Sequence, residues 1–335
     1  MKRKNEELLL FIFTISVYCL LCFYLPYKYP ELPGSLTEEI EFVIPSGVSA
    51  KAAAEIIKEA GVVDDSAALV REMVNSGLDR RIRPGRYRLR RSTPGCVVRQ
   101  MEQARPESER VTLIPGSRYK RLTSLFEKEG LSAADFEKAL ADDNNFYHKA
   151  RGWLPARTED RMIFLLPETY FLPPGAGADE FVKGASRLWY ERVGAAIAPE
   201  TPPDEVVRRG VLASVVEGEA RVAEERPLLA GIFLSRIEKS MRLQSCATVI
   251  YSWEEKNIKK KSLTYRDLEI DSPYNTYLND GLPPGPICVP SESSWKSALA
   301  PEKSDYLFFF ANGEGRHIFS ESYDEHIAKQ RKMGL

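Results

Sequence analysis

The sequence predicts an α+β protein, mainly helical toward its C-terminus, behind a single N-terminal membrane helix. Three observations predict it. Residues 8–25 carry no charge and follow Lys2, Arg3 and Lys4. Between residues 39 and 141, short strand-like runs alternate with amphipathic helical runs. From residue 179 onward, long helical patterns are separated by stretches dense in proline and glycine.

The first of these sets the location. Eighteen helical residues rise about 27 Å, enough for the hydrocarbon core of a bilayer. The basic flank, residues 1–7, stays in the cytoplasm, and the rest of the chain lies outside. No small-x-small cleavage site follows, because the span ends in Tyr24, Leu25, Pro26 and Tyr27. An uncleaved single-pass anchor is therefore expected rather than a signal peptide. Residues 26–38, with Pro26, Pro30 and Pro33, read as an extended tether.

A compact unit is expected over residues 39–105. It begins with a strand at 41–45 and continues with amphipathic helices at 50–60 and 66–76. A strand at 85–89 and a helix from 93 to about 103 complete it. Strand-helix-helix-strand is the layout of a small peptidoglycan-binding module of the LysM type, although many small domains share that order. An intermediate α/β region, residues 106–203, follows. It has a strand at 110–115, helices at 118–130 and 133–141, and the run F-L-L-P-E-T-Y-F-L-P-P from Phe164 to Pro174, which cannot be regular helix. A long helix at 179–197 closes it. The last domain, residues 204–335, opens with helices at 204–222 and 227–239 and then becomes loop-rich as far as Pro290.

Composition narrows the function. A hydrophobic share of 43% against 28% charged residues suits a protein with real cores. The net charge of -1 excludes a nucleic-acid binder that relies on bulk positive charge. Five scattered cysteines do not make a disulfide framework. His148, His317 and His326 have no metal-ligand spacing, so neither a metal nor another cofactor is expected.

The chemistry concentrates on V-L-A-S-V-V-E-G-E-A-R-V-A, residues 211–223. On a helical wheel with Leu212 at zero, Glu219 falls within about 20° and Glu217 at about 140°. Glu219 thus sits in the apolar stripe with Val215 and Val216, and Glu217 beside Ser214 and Arg221 on the side expected to be solvated. Two residues apart on a helix, they cannot face each other as an acid and a nucleophile. Desolvation would favour the protonated form of a carboxylate in that stripe, as a general acid requires. A buried ion pair with Arg226 explains the position equally well, and the wheel does not separate the two. Downstream, S-P-Y-N-T-Y at 272–277 and G-L-P-P-G-P-I at 281–287 set an amide and tyrosines among residues that fix backbone geometry. Such groups serve either a sugar groove or a tight structural turn.

Taken together these residues resemble the YceG-like family of endolytic murein transglycosylases. The resemblance runs through A-S-V-V-E-G-E-A at 213–220, E-E-R at 224–226, F-L-S-R-I at 233–237 and M-R-L-Q at 241–244. It continues through T-V-I-Y at 248–251, Y-N-T-Y, G-L-P-P-G-P-I and Y-L-F-F at 306–309. It implies a LysM-like subdomain at 39–105, a lytic-transglycosylase-like catalytic domain, and cleavage of the MurNAc-β-1,4-GlcNAc bond to 1,6-anhydro ends. The second glutamate of the E-x-E pair, Glu219, would be the catalytic acid and then the base. Gln244, Tyr274, Asn275 and Tyr277 would hold the sugar, and Glu225 and Arg226 would brace the site as an ion pair. The expected partners are murein strands, the membrane and peptidoglycan synthases. Two positions depart from the family pattern: Ala220 replaces a small hydroxyl residue, and Cys246 an aspartate. They leave open a second reading, a non-catalytic murein-binding anchor.

Overall fold

The structure is a computed structural model and describes residues 38–45, 48–128, 133–173, 175–260 and 262–334. The anchor expected at 8–25 and most of its tether lie outside the described residues. Among the described residues no helix is long and apolar enough to cross a membrane. The chain packs as two compact units divided after Ser108. It is a mixed α+β protein, mostly helical, whose described strands form three two-stranded antiparallel sheets.

In the first unit, β1 (Glu39–Ile44) pairs with β2 (Gly85–Arg90) in the register Phe42↔Tyr87. Strand alternation puts Phe42, Ile44, Tyr87 and Leu89 on one buried face, where the Phe42 and Tyr87 rings stack at 5.6 Å. Arg86, Arg88 and Arg90 share the opposite face, where Glu41 pairs with Arg86 and Arg88 and Glu39 with Arg90. Between the strands lie α1 (Ala50–Glu59) and α2 (Ser66–Ser76), started by Ser49 and Asp65, whose side chains accept from the N–H of Ala52 and Ala68. Gly77, left-handed at φ 71°, stops α2. Helix α3 (Pro94–Gln103) adds Val97, Val98 and Met101 to a core shared with Ile57 and Leu69. At Gly85 (φ 136°) a Cβ would lie 2.6 Å from the Glu107 carbonyl oxygen, so only glycine fits that crossing.

The second unit has one core, running from Val111 to Ala298. Its elements are β3 (Glu109–Thr112), α4 (Tyr119–Lys128), α5 (Ala133–Ala141), β4 (Thr169–Leu172) and α6 (Ala178–Arg192). These are followed by α7 (Pro203–Glu219), α8 (Arg226–Glu238), α9 (Cys246–Glu255) and α10 (Glu292–Leu299). The hairpin β5 (Phe308–Ala311) and β6 (His317–Ser320), then α11 (Tyr323–Lys332), end the chain. Helix α7 is central: every residue from Gly210 to Val216 is buried. Gly210 lets Trp295 and Ile163 lie directly against the α7 backbone, where a Cβ would sit 2.8 Å from the indole. Trp295 in turn meets Trp189 at 5.3 Å and donates its indole N–H to the Ile163 carbonyl at 3.0 Å.

Two expectations change here. The wheel ran one helix from 204 to 222, but α7 stops at Glu219 because Ala220 turns extended (φ -79°, ψ 121°). Val222 and Ala223 therefore do not extend the apolar stripe. The stretch from Leu243 to Tyr251 was expected to be loop, yet Ser245 is the N-cap of α9. Its apolar residues Ala247, Val249 and Tyr251 pack inward.

Candidate active site

The ending of α7 determines what its two glutamates do. The wheel put Glu217 on a solvated side, but Glu217 is buried, its side chain 7% exposed. The opposite face of α7 packs on α10 and Arg226, so a buried helix has no solvated side there. Glu217 Oε1 accepts from Arg226 Nη2 at 3.2 Å. Its Oε2 accepts from the Ser291 N–H at 2.9 Å and the Ser294 hydroxyl at 2.7 Å, with the Ser291 hydroxyl as a further donor. Both oxygens are taken, as a buried charge requires.

Glu219, the last helical residue, is half-buried and faces a groove of about 440 Å3. Its Oε2 accepts from the Ser245 hydroxyl at 2.6 Å and the Ala247 N–H at 3.3 Å, which places the carboxylate on the N-terminus of α9. The first N–H groups of a helix have no acceptor within it, and one of them holds this oxygen. Ser245 is itself fully buried, and its N–H donates to the Thr276 hydroxyl at 3.1 Å. Thr276 and Thr248 share a hydrogen bond at 2.9 Å, and the Gln244 N–H donates to the Thr276 carbonyl at 3.0 Å. Gln244 takes a left-handed φ of 47°, which turns the chain into α9. Glu219 Oε1 accepts no hydrogen bond from the described residues.

The four sugar-binding candidates divide. Gln244 and Tyr277 line the groove with Glu219. Asn275 does not: it is fully buried, its amide donates to the carbonyls of Leu268 and Ile270 at 2.9 Å each, and its Oδ1 accepts from the Tyr277 N–H at 3.0 Å. It pins the loop that carries Tyr277. Tyr274 packs its ring on Tyr251 at 4.7 Å and lines a different cavity. Nor do Glu225 and Arg226 pair with each other. Glu225 binds the Nδ1 of His317 at 2.7 Å and its N–H at 3.0 Å, tying the short 3-10 turn Ala223–Glu225 to β6, while Arg226 serves Glu217.

Sequence reading missed Ser245 and Thr276, although Gln-Ser before an apolar run is a helix-start signal. It also missed Arg236, His317 and the Phe308–Phe310 strand, which face the groove from the far end of the chain. The buried Arg236 guanidinium donates to the carbonyls of Leu307 and Leu243 at 2.7 Å each. Burial lowers its pKa, partly offset by Tyr277 and Glu219. Burial raises the Tyr277 phenol, aided by Cys246 and Glu219, so it stays a hydrogen-bond donor at neutral pH. Cys246 is exposed at the rim, 3.4 Å from the Tyr277 hydroxyl. The protein around its sulfur and the charge of Glu219 raise the thiol, which argues against a thiolate nucleophile. Among the described residues no three His, Cys, Asp or Glu converge to hold a metal ion.

The groove thus sets one carboxylate, held at a helix N-terminus, among tyrosine, arginine and phenylalanine side chains. The chain belongs to the YceG-like family, whose model matches residues 42–332. It is 29% identical over 309 residues to the endolytic murein transglycosylase of Bacillus subtilis (strain 168), spanning 86% of this chain and 83% of that one. A stretch of 118 residues is 38% identical to the endolytic murein transglycosylase of Streptococcus pneumoniae serotype 2 (strain D39), covering 34% of this chain and 21% of the relative. Among solved structures it is similar to a yceG-like protein of Listeria monocytogenes, with a TM-score of 0.54 and 26% identity over 88% of this chain and 99% of that one.

Proposed function

We propose that this protein is a membrane-anchored endolytic murein transglycosylase that cleaves the MurNAc-β-1,4-GlcNAc bond of nascent glycan strands, with Glu219 as its one acid and base. The observation that carries the reading is that Glu219 has one oxygen anchored by Ser245 and Ala247 and the other open to the groove. Its family and the names of its relatives agree with it.

The protonated Glu219 carboxyl gives its proton to the glycosidic oxygen as the C1–O bond of the muramyl unit breaks. The carboxylate left behind takes the proton of the C6 hydroxyl, whose oxygen forms the new bond to C1. The ring closes as 1,6-anhydro-MurNAc, the GlcNAc side leaves with its hydroxyl, and Glu219 is protonated again. No water enters, so the reaction needs no second carboxylate to activate one. Tyr277 and Gln244 hold the sugar by hydrogen bonding, and Arg236, committed to the carbonyls of Leu307 and Leu243, fixes the wall of the groove. Ala220 offers no hydroxyl to Glu219, and the hydroxyl that reaches Glu219 is that of Ser245. The LysM-like order of the first unit suits it to grip glycan, and the segment at 8–25 would hold both units outside the cytoplasmic membrane, within reach of peptidoglycan synthases.

Mass spectrometry of the products tests this. Wild-type protein on uncrosslinked strands should release anhydromuramyl ends, lighter by one water than hydrolytic ends, and Glu219→Gln should release none. Reducing ends from the wild type would indicate a hydrolase, and binding without cleavage would leave only a murein anchor.

A further inference from the structure

The groove at Glu219 is not the only concave polar site in the second unit. A cavity of about 270 Å3 lies around Asp160, walled by the rings of Tyr119, Tyr251 and Tyr274. Asp160 is 7% exposed, yet no hydrogen bond from the described residues reaches its carboxylate. Its nearest cation, Arg157 Nε, stands 3.9 Å away. That guanidinium is committed elsewhere, to Glu159 at 2.7 Å and to the Tyr274 hydroxyl at 3.3 Å. A nine-tenths-buried carboxylate without a donor is costly in a folded protein. Glycine at 285 lets the backbone lie close to this pair, since a Cβ there would lie 2.5 Å from Asp160 Oδ1 and 3.0 Å from the Tyr274 hydroxyl.

The lining has an excess of negative charge. Glu137, Glu159, Asp160 and Glu255 face it against Arg157 and Lys120; Lys120 is taken up by Glu255, through its carbonyl at 3.2 Å and its carboxylate at 3.8 Å, and by Asn257. Burial pushes the Tyr119 phenol up to about 12, with Glu137 and Glu159 adding to the rise. Tyrosine rings and a donor-less carboxylate complement a cation that brings its own N–H groups, and the Tyr251 ring already carries one such cation, Arg118 at 5.3 Å. A neutral sugar could satisfy Asp160 but would leave the charge excess unanswered.

We propose that this cavity binds a primary ammonium group, the free side-chain amine of a murein stem peptide that has not been crosslinked. The proposal rests on the murein reading of the Glu219 groove. The two sites share scaffolding. Tyr274 in the cavity and Tyr277 in the groove are three residues apart on one loop, and Tyr251 follows the groove residue Cys246 on α9 by about 7.5 Å of helical rise. A peptide branching from a muramyl unit in the groove spans that distance. Crosslinking converts the amine to a neutral amide, so the cavity makes the enzyme select strands whose stems are still free.

The test uses the full chain carrying Glu219→Gln and a stem tripeptide ending in lysine, free or Nε-acetylated, titrated by calorimetry. The free amine should bind about tenfold more tightly than the acetylated peptide. Asp160→Asn should remove the difference. Equal affinity of the two peptides for the unsubstituted cavity overturns the proposal, and because that comparison alters only the ligand, misfolding of a variant cannot hide it. On strands, acetylating the stem amines should raise the KM of the wild-type enzyme while its kcat holds, and an unchanged KM also overturns the proposal. Peptide discrimination without any strand cleavage would sink the murein reading and leave the ammonium site standing.

Discussion

Glu217 and Glu219 have the same chemistry, lie two residues apart on one helix, and end in opposite situations. Glu217 is saturated by Arg226, Ser291 and Ser294, so its charge is fixed and it welds α7 to α8 and α10. Glu219 is held through one oxygen only and keeps the other for the groove. What separates the two is the number of donors each carboxylate receives, and under the proposed reaction that leaves Glu219 the one able to act. The C-terminus of α7 makes the difference: Glu217 is within the packed helix, and Glu219 is where the chain leaves it.

The sharpest break of that comparison is Glu219→Gln. General acid–base catalysis contributes about 10²- to 10⁴-fold, and here one group performs both halves, so release of anhydro ends should fall at least about a thousandfold. The amide oxygen can still accept from Ser245, so the unfolding free energy should move by no more than about 0.5 kcal/mol. Glu217→Ala should do the reverse. Removing one partner of a buried, hydrogen-bonded pair strands Arg226 and two serines and costs about 3–5 kcal/mol. Denaturant unfolding should record that loss, with any remaining folded protein cutting strands at a rate near wild type. A Glu217→Ala protein of normal stability would abolish the distinction drawn between the two residues.

How much of this was legible in the sequence follows from what each inference depended on. Helix α2 at 66–76 and the pair β1–β2 follow from local patterns, because Asp65, Gly77 and the alternation of Phe42 and Ile44 act within a few residues of themselves. The place of Glu219 on the apolar side of α7 was legible because Val215 and Val216 belong to the same helix, but the wheel could not say what its carboxylate does. The burial of Glu217 was not, since its partners at 291 and 294 lie more than seventy residues away and serine carries no sign of what it will donate to. Asn275 misled for a related reason. An amide among tyrosines suits a sugar and a turn alike, and only the carbonyls of Leu268 and Ile270 decide for the turn.

Asp160 is the third carboxylate of this series, buried like Glu217 but without its donors. Burial raises its pKa to about 6, with Glu159 adding and Arg157 opposing. A carboxyl with a folded pKa above its unfolded value of about 3.9 binds its proton more tightly in the native state. It therefore subtracts nothing below about pH 4, and lowers stability progressively as pH rises through about 6. Asp160→Asn should stabilise the protein at pH 7 by about 1–3 kcal/mol, a gain that disappears at pH 4. Chemical unfolding at the two pH values measures it. No gain at pH 7 would mean that Asp160 is better satisfied than its surroundings indicate.

The smallest effect is the most informative about how Glu219 is aimed. Ser245→Ala removes the 2.6 Å hydrogen bond to Oε2 and leaves the Ala247 N–H and the end of α9 in place. A hydrogen bond to a charged group is worth about 1.5–3 kcal/mol, and the remaining amide retains part of that, so kcat should fall about tenfold. KM should change little, because Ser245 is fully buried and does not reach the substrate. Ser245→Thr keeps the hydroxyl and should recover part of the loss, which a general weakening of α9 would not allow. Equal kcat in the alanine variant would assign the aiming of Glu219 to the helix terminus alone, and the contrast with Glu217 would then rest on one backbone amide.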